Sequence, residues 1–178
     1  MIKTAFTTLW EDASEKKGGE KALQALLPKP KSAGHLKKIP DDRWLSDMTK
    51  RVFQAGFVWK IVEAKWDGFE AAFGGFDPGP LSFMTDEDMD CLVSDPQIIR
   101  NGQKIKAVRE NAAFIMELVQ DHGSAGAFFA DWPADDFIGL LAVMKKRGSR
   151  LGGMTAQYYL RLVGRDGFIL SADVTTAL

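Results

Sequence analysis

The chain has 178 residues and a mass of 19.7 kDa, the size of one ordinary domain or of two small lobes that share a core. Hydrophobic residues make up 46% and charged residues 26% of the sequence, so the composition excludes a disordered or low-complexity protein. Cys91 is the single cysteine, which excludes an intramolecular disulfide and a multi-cysteine metal site and fits a reducing compartment. We therefore expect a cytoplasmic globular protein in which Cys91 is a small core residue.

The formal net charge of −1 conceals an uneven distribution of charge along the chain. Residues 61–97 carry nine acidic residues and one Lys, whereas residues 1–60 and 98–165 each carry a net positive charge. Because salt screens charges over about 8 to 10 Å, a basic face can coexist with an acidic one, and the net charge does not exclude DNA as a partner. No apolar run approaches the ~18 residues of a membrane span, so we expect no membrane association.

Apolar residues recur at helical spacing almost throughout, which predicts an irregular all-α globule without internal repeats. Capping residues, glycines and prolines set the predicted ends of the helices. The last helix ends almost at once at Leu178, which indicates that the natural chain continues. In chain order we predict helices over 41–55, over 59–73, after the capping-box residues 85–88, over 103–119, from Asp131-Trp132-Pro133 to Arg147, over 155–163, and after Ser171.

Residues 145–160, KKRGSRLGGMTAQYYL, place a basic helix end, a glycine-containing turn and a second helix in succession. Glycines let the backbone approach a ligand closely, and the free N–H groups at a helix start bind phosphate oxygens. Neighbouring cations supply the attraction that duplex DNA requires. The alternative is a plain pair of helices with a solvated basic loop. The candidate phosphate-binding residues are Lys146, Arg147, Arg150, Gly152, Gly153 and Thr155.

This stretch resembles the hairpin of the helix-hairpin-helix DNA glycosylases, in which a Leu/Ile-Gly turn leads into Thr-Ala and an aromatic-rich helix. In that superfamily a catalytic Asp follows later in the chain. The resemblance implies that Asp173 is this Asp. The alternative is that Asp173 is simply an acid in the first turn of a helix capped by Ser171, where the helix dipole favours negative charge.

The resemblance narrows to the DNA-3-methyladenine glycosylase I family and covers about residues 40–178. It implies an all-α helix-hairpin-helix glycosylase domain over 40–178, with two helical lobes around a base-binding cleft and the hairpin at about 136–163. Residues 1–39 lie outside it and are expected to form an N-terminal extension packed on or near the core. The segments that carry it are DDR at 41–43, QAGFVW at 54–59, FGGFDP at 73–78, MTDED at 84–88, IIRN at 98–101, KI at 104–105 and KKRG at 145–148.

The resemblance also implies a site. Trp59 would be the aromatic wall of the base pocket, with Gln54 beside it, while Gly56 and Phe57 would form a wedge that enters the gap left by the extruded nucleotide. Trp44 is a further candidate for the base pocket, and the alternative is that it packs in the core, as aromatic residues at helical spacing usually do. In the family a pocket Glu stands three residues before the Gln of the QAG segment, and here that position is Arg51. We place Arg51 in the pocket as a departure from the family pattern.

Arg100, Asn101 and Lys104 resemble a family turn, and the sequence leaves open whether they contact DNA or bridge helices. The family's zinc ligands have no counterpart, because one mid-chain Cys and two distant histidines, His35 and His122, do not compose a tetrahedral site. We therefore expect no metal and no cofactor.

The resemblance implies a mechanism in which the enzyme flips a damaged nucleotide out of double-stranded DNA and stacks an alkylated purine such as 3-methyladenine on Trp59. Asp173 would stabilise the oxocarbenium-like sugar and orient water. Bifunctional members of the superfamily carry a nucleophilic Lys immediately before Thr-Ala, and here Met154 stands there, so we expect a monofunctional, monomeric hydrolase. The alternative, motivated by Arg51, is a non-catalytic DNA-binding or damage-sensing module with the same fold.

Overall fold

The computed structural model describes residues 5–177, and within that range it contains helices and no strand, so the all-α prediction is confirmed. A short 3-10 helix, Gly74–Phe76, lies between the sixth and seventh α-helices. The α-helices are α1 (Phe6–Lys16), α2 (Glu20–Leu26), α3 (Ala33–Leu36), α4 (Asp41–Gln54), α5 (Trp59–Ala64), α6 (Trp66–Ala72), α7 (Pro78–Ser82), α8 (Asp86–Ser94), α9 (Gly102–His122), α10 (Ala125–Asp131), α11 (Phe137–Arg147), α12 (Met154–Val163) and α13 (Ala172–Ala177).

The described residues divide into two compact units. One contains residues 5–30 and 169–177, with α1, α2 and α13, and the other contains residues 31–168, with α3 to α12. This division differs from the predicted boundary after residue 39, because α3 groups with the later helices and the C-terminal residues group with the N-terminal ones. Leu178, where the sequence ends, lies outside the described residues.

The core of the larger unit is built around α4, which packs against α9 and α12. Trp44, near the start of α4, is completely buried and stacks on Phe129 with 4.7 Å between ring centroids. Its indole N–H donates to the carbonyl of Ile39, and the buried hydroxyl of Tyr159 donates to the carbonyl of Trp44. The first turn of α4 is therefore fixed by aromatic packing and by satisfied polar groups.

Several predicted helix ends are confirmed by their caps. Thr85 and Asp88 form the reciprocal capping box at the start of α8. Ser171 accepts a hydrogen bond from the backbone N–H of Val174, as expected of the residue that caps α13. The long helix α9 continues three residues past its predicted end at 119 and stops before Gly123, whose φ of 83° lies in the left-handed region that glycine adopts without strain.

Two predicted helices are wrong in their bounds. The single helix predicted over 59–73 is broken at Lys65, whose backbone is not helical and whose ammonium donates to the carbonyl of Pro96. A helix does not begin at Asp131, because α10 ends there and Trp132 is extended. Helical conformation is disfavoured at Trp132 because Pro133 follows it. The next helix, α11, begins only after Asp136, which caps it.

Cys91 is exposed, so its prediction as a core residue is also wrong.

Glu70 in α6 joins the DDR segment at the start of α4 to the rest of the fold. Its two carboxylate oxygens each accept a hydrogen bond of 2.9 Å from the guanidinium of Arg43. Ser46 and the indole N–H of Trp66 donate to the same carboxylate. Burial raises the pKa of Glu70, but the hydrogen bonds from Arg43 and Ser46 outweigh that effect and leave the pKa below its usual value.

Lys104, in the first turn of α9, bridges to the C-terminal end of α4. Its buried ammonium donates to the carbonyls of Phe53 and Ala55, at 3.0 and 2.6 Å, and lies 4.4 Å from the ring centroid of Phe57. Carbonyls at the end of a helix have no intrahelical partner, so a cation there is favourable. Burial lowers the pKa of Lys104 from 10.5 to about 8. Lys104 therefore bridges two helices, one of the two alternatives that the sequence left open.

Asn111, in the middle of α9, holds the turn between α11 and α12. Its side-chain amide donates to the carbonyl of Ser149 at 3.1 Å, and its oxygen accepts from the backbone N–H of Ser149 at 2.7 Å. The side chain is almost fully buried. This pair of hydrogen bonds satisfies the backbone of a turn that would otherwise depend on water.

Across residues 5–177, none of the helices is both long enough and apolar enough to cross a lipid bilayer.

Glu70→Ala should lower the free energy of unfolding by about 2–3 kcal/mol, because Arg43, Ser46 and Trp66 lose a shared charged acceptor. Denaturant unfolding monitored by circular dichroism measures the change. Glu87→Ala, which removes an exposed carboxylate from α8, is the matched control and should change stability by less. A loss no larger than that of the control would contradict the role assigned to Glu70.

The lowered pKa of Lys104 predicts that the free energy of unfolding depends on pH. Between pH 8 and 10.5 the unfolded chain binds more protons at Lys104 than the folded chain does, so this residue makes the free energy of unfolding rise with pH over that window. In Lys104→Met this rising contribution should be absent, and the overall stability should fall by about 1–3 kcal/mol because two carbonyls lose their donor. Unfolding curves at pH 8, 9 and 10 for both proteins test it, and parallel pH profiles would contradict it.

Candidate functional site

A cavity of about 300 Å³ opens where the end of α4 and the following loop meet the first turns of α12. Its volume is at the lower end of the range found for small-molecule sites. The structure therefore brings the QAGFVW segment and the hairpin helix, which are far apart in the sequence, to one cavity. The lining residues are Arg51, Gln54, Ala55, Gly56, Trp59, Met154, Thr155 and Tyr158.

Two aromatic rings form one part of the cavity wall. Trp59 is the first residue of α5 and remains 46% exposed, although most large aromatic residues of this chain are buried. Its ring centroid lies 5.8 Å from that of Tyr158, and the two rings are nearly perpendicular at 85°. An aromatic ring that is held by an edge contact and is open to solvent provides a surface on which a planar ligand can stack.

Arg51 places a guanidinium against these rings. The central carbon Cζ lies 4.7 Å from the ring centroid of Trp59 and 5.9 Å from that of Tyr158, and Nη1 donates to the side-chain oxygen of Gln54 at 2.8 Å. Burial lowers the pKa of Arg51, while the negative charges of Asp47 and Glu63 oppose that shift. A guanidinium stays protonated at neutral pH, so the cavity carries a positive charge.

The charge on Arg51 is only partly compensated. Within residues 5–177, Arg51 forms no salt bridge with a carboxylate, and its buried Nε–H has no hydrogen-bond acceptor there. A buried donor without an acceptor is unfavourable. Its cost is reduced because the Arg51 guanidinium sits in the last turns of α4, where the helix dipole favours cations.

The predicted wedge lies at the edge of the cavity. Gly56 has φ of 76°, a conformation that strains any residue with a Cβ atom, so the tight turn after α4 requires glycine. The following Phe57 is 40% exposed and rests against the ammonium of Lys104. The turn therefore holds an exposed phenyl ring beside the cavity while its backbone carbonyls are tied to Lys104.

The segment predicted as the hairpin contains α11, a turn at residues 148–153 and α12. Gly153 precedes α12 with φ of 58° and ψ of −131°, a region that only glycine adopts readily. Arg150 also has a positive φ of 58°, which is uncommon outside glycine, and its guanidinium donates to Gln103 in α9. The turn therefore has a defined backbone shape.

The predicted phosphate-binding residues occupy different environments. Lys146 and Gly153 are exposed, while Thr155 lines the cavity. A side chain in place of Gly152 would contact the stem of Lys145. Arg147 forms ion pairs with Glu117 and Asp121 at 3.0 and 3.4 Å. Lys146 and Arg150 therefore remain as exposed cations near the turn.

Trp44, which was predicted as a base-pocket residue, is not part of this cavity. It lies in the core, stacked on Phe129. Asp173 is exposed in the first turn of α13, in the other compact unit of the chain. The role of Asp173 therefore stays a prediction from the family resemblance.

The structure adds lining residues that the sequence analysis did not assign to the base pocket. Tyr158 follows Thr155 by three positions, so both lie on one face of α12, and this spacing was a signal available in the sequence. Met154 was noted only for what it replaces, yet its side chain also lines the cavity.

In the turn before α9, Asn101 caps the helix by accepting from the backbone N–H of Lys104, and Arg100 is exposed.

Within residues 5–177, no group of three or more His, Cys, Asp or Glu side chains is arranged to hold a metal ion.

The sequence is similar to known methyladenine glycosylases. Residues 37–138 match the family described as methyladenine glycosylase. The DNA-3-methyladenine glycosylase 1 of Escherichia coli strain K12 is 38% identical over 68 residues, which is 38% of this chain and 36% of that protein. The DNA-3-methyladenine glycosylase of Haemophilus influenzae is 36% identical over 59 residues, 33% of this chain and 32% of that protein. The matched segment thus spans about a third of these curated relatives.

Solved structures with a similar fold cover more of the chain. A crystal structure of a 3-methyladenine DNA glycosylase I superposes with a TM-score of 0.62 at 23% identity, covering 80% of this chain and 86% of that one. The 3-methyladenine DNA glycosylase I of Staphylococcus aureus gives a TM-score of 0.63 at 22% identity over 74% and 81% of the two chains. The likeness shows a shared fold. Because the family match spans more than half of the residues and includes the QAGFVW segment of the cavity, the chain belongs to the methyladenine glycosylase family.

Proposed function

We propose that the protein is a monofunctional DNA glycosylase of base excision repair. It flips an alkylated purine, such as the 3-methyladenine in the names of its relatives, out of double-stranded DNA and hydrolyses the N-glycosidic bond. The observation that carries the proposal is the single cavity in which Trp59 of the QAGFVW segment meets Thr155 of the hairpin helix. A pocket for a base beside an element suited to bind the DNA backbone is what a base-flipping enzyme requires.

The hairpin supplies the contact with the DNA backbone. The N–H groups at the start of α12 follow Gly153 and have no intrahelical acceptor, so they can donate to a phosphate oxygen. Lys146 and Arg150 are exposed near the same turn and add an attraction that does not depend on sequence. The contact positions the protein on the duplex and leaves recognition of the lesion to the cavity.

The cavity and the turn beside it recover the cost of base flipping. Extruding a nucleotide costs about a few kcal/mol, and stacking one base on an aromatic ring recovers about 1–3 kcal/mol. Trp59 provides that ring, while Gly56 and Phe57 are placed to occupy the gap in the duplex. The contact of Lys104 with Phe57 limits the number of conformations that the wedge must give up on binding.

The chemical step requires stabilisation of positive charge on the sugar as the bond to the base breaks. We assign this role to the carboxylate of Asp173, on the strength of its place in the family-like sequence after the hairpin. Met154 stands where a Schiff-base lysine would precede Thr155, and a thioether forms no imine with the sugar. The products are therefore a free base and an intact strand with an abasic site. We also propose that the protein acts as a monomer.

A second function is a damage-binding module without catalysis. The observation that favours it is the guanidinium of Arg51 in the cavity, at the position of the carboxylate in the family pattern. Such a module would keep the hairpin and the aromatic wall and would bind damaged DNA without releasing a base.

Base release from methylated duplex DNA separates the two functions. The glycosylase should leave abasic sites that cleave only after alkali or heat, because the mechanism has no lyase step. Trp59→Ala should lower single-turnover base release roughly tenfold or more, since each stacked base contributes about 1–3 kcal/mol. Tight binding of methylated DNA without any released base would instead establish the damage-binding function.

Asp173→Asn tests the assigned carboxylate. Single-turnover base release should fall by about 10- to 100-fold, within the range for acid–base groups, while the dissociation constant for damaged duplex stays near that of the parent protein. Asp135→Asn, which changes an exposed carboxylate before α11, is the matched control and should leave the rate unchanged. An unaltered rate in Asp173→Asn removes this residue from the mechanism.

A further inference from the structure

We infer that the cavity selects a neutral alkylated purine that presents a hydrogen-bond acceptor to Arg51, in preference to a purine that carries a positive charge. The inference rests on the proposed base excision activity and keeps it, but it moves the preferred substrate from the cationic 3-methyladenine to neutral alkylated purines. It follows from the charge of Arg51, from its contact with Trp59 and from the fact that a guanidinium donates hydrogen bonds but does not accept them.

The positive charge lies inside the cavity. Arg51 lines it together with Trp59, and the guanidinium carbon is 4.7 Å from the centre of the indole ring. A base that stacks in this cavity must therefore lie within a few ångströms of a guanidinium. A purine nucleoside alkylated at N3 or N7 is a cation, and two like charges at such a distance repel each other strongly where water is displaced.

The lining supplies no carboxylate that would offset this repulsion. Its other polar side chains are an amide, an alcohol and a phenol, those of Gln54, Thr155 and Tyr158. Asp47 and Glu63 act on Arg51 through space, but neither forms a salt bridge with it among the described residues.

Trp59 also offers less to a cationic base than an isolated indole would. A ring attracts a cation through its negative face, and in this cavity the guanidinium of Arg51 already makes such a contact with Trp59. A cationic purine would have to displace Arg51 or share the ring with it. A neutral purine stacks without that competition.

The hydrogen-bonding state of Arg51 determines what such a neutral purine must present. Guanidinium groups donate hydrogen bonds and do not accept them. Nη1 already donates to Gln54, but Nε–H is buried without an acceptor in the described part of the chain. Because Nε is buried, a base would be bound by the part of the guanidinium that lines the cavity. A carbonyl oxygen or an unprotonated ring nitrogen can accept a hydrogen bond from it, and a methylated, cationic edge cannot.

Two duplexes of identical shape test the charge preference directly. One contains 7-methylguanine, a cation in DNA, and the other contains 7-deaza-7-methylguanine, its neutral isostere with the same carbonyl group. Fluorescence anisotropy should show that the parent protein binds the neutral duplex roughly tenfold to a hundredfold more tightly, as expected for one charge pair in a partly desolvated site. Equal binding, or tighter binding of the cationic duplex, would overturn the inference.

Substitutions assign the preference to Arg51. Arg51→Gln should abolish the ratio between the two dissociation constants, and Arg51→Lys should retain most of it. Lys60→Gln removes an exposed cation of α5 that does not line the cavity, so it should weaken both affinities and leave the ratio unchanged. A ratio that survives in Arg51→Gln, with the helical circular dichroism spectrum intact, would also overturn the inference.

Excision rates separate this inference from the proposed function. The single-turnover rate for each lesion is divided by its spontaneous rate of depurination, because cationic purines are intrinsically good leaving groups. The acceleration should be larger for neutral 1,N6-ethenoadenine than for 3-methyladenine in methylated DNA. A larger acceleration for 3-methyladenine would refute the substrate preference and leave the glycosylase function standing. Failure to release any base would refute the function, while the binding ratio would still decide the preference.

Discussion

The position of α4 determines the geometry of the cavity. Its first turn is fixed in the core by the packing of Trp44 and by the hydrogen bonds of Glu70 to Arg43, and its last turn is held by the ammonium of Lys104. A helix immobilised at both ends projects its last residues in one direction. That direction brings Arg51 and the following turn to α12, so the cavity is a consequence of core packing and not of loop conformation alone.

Two buried cations near the end of α4 serve different purposes. Lys104 donates hydrogen bonds to two backbone carbonyls, whereas the Nε–H of Arg51 has no acceptor among residues 5–177. Both groups benefit from the negative end of the helix dipole, which lowers the cost of placing positive charge there. The same backbone feature thus stabilises a structural cation and tolerates one that faces a ligand cavity.

The sequence predicted the all-α class, the hairpin, the long helix α9 and several caps, because these depend on local spacing and on residues such as Thr85 and Ser171. It did not predict the break at Lys65, whose ammonium binds the carbonyl of Pro96 in a distant segment. The non-helical conformation of Trp132 could have been predicted, because Pro133 follows it in the sequence. The sequence left open whether Trp44 lines the base pocket or packs in the core, and the structure places it in the core. Helical periodicity cannot distinguish an aromatic residue that packs inward from one that lines an adjacent cavity.

The lining of the cavity could be predicted only in part, because some of its residues form a local sequence segment and others are brought to it by helix packing. The QAGFVW segment identified Trp59 and Gly56, but Tyr158 enters only because α12 packs against α4.

The exposure of Cys91, which the sequence placed in the core, has a practical consequence. The chain has one thiol, and that thiol is accessible, so a maleimide dye would attach at a single defined position without any engineered cysteine.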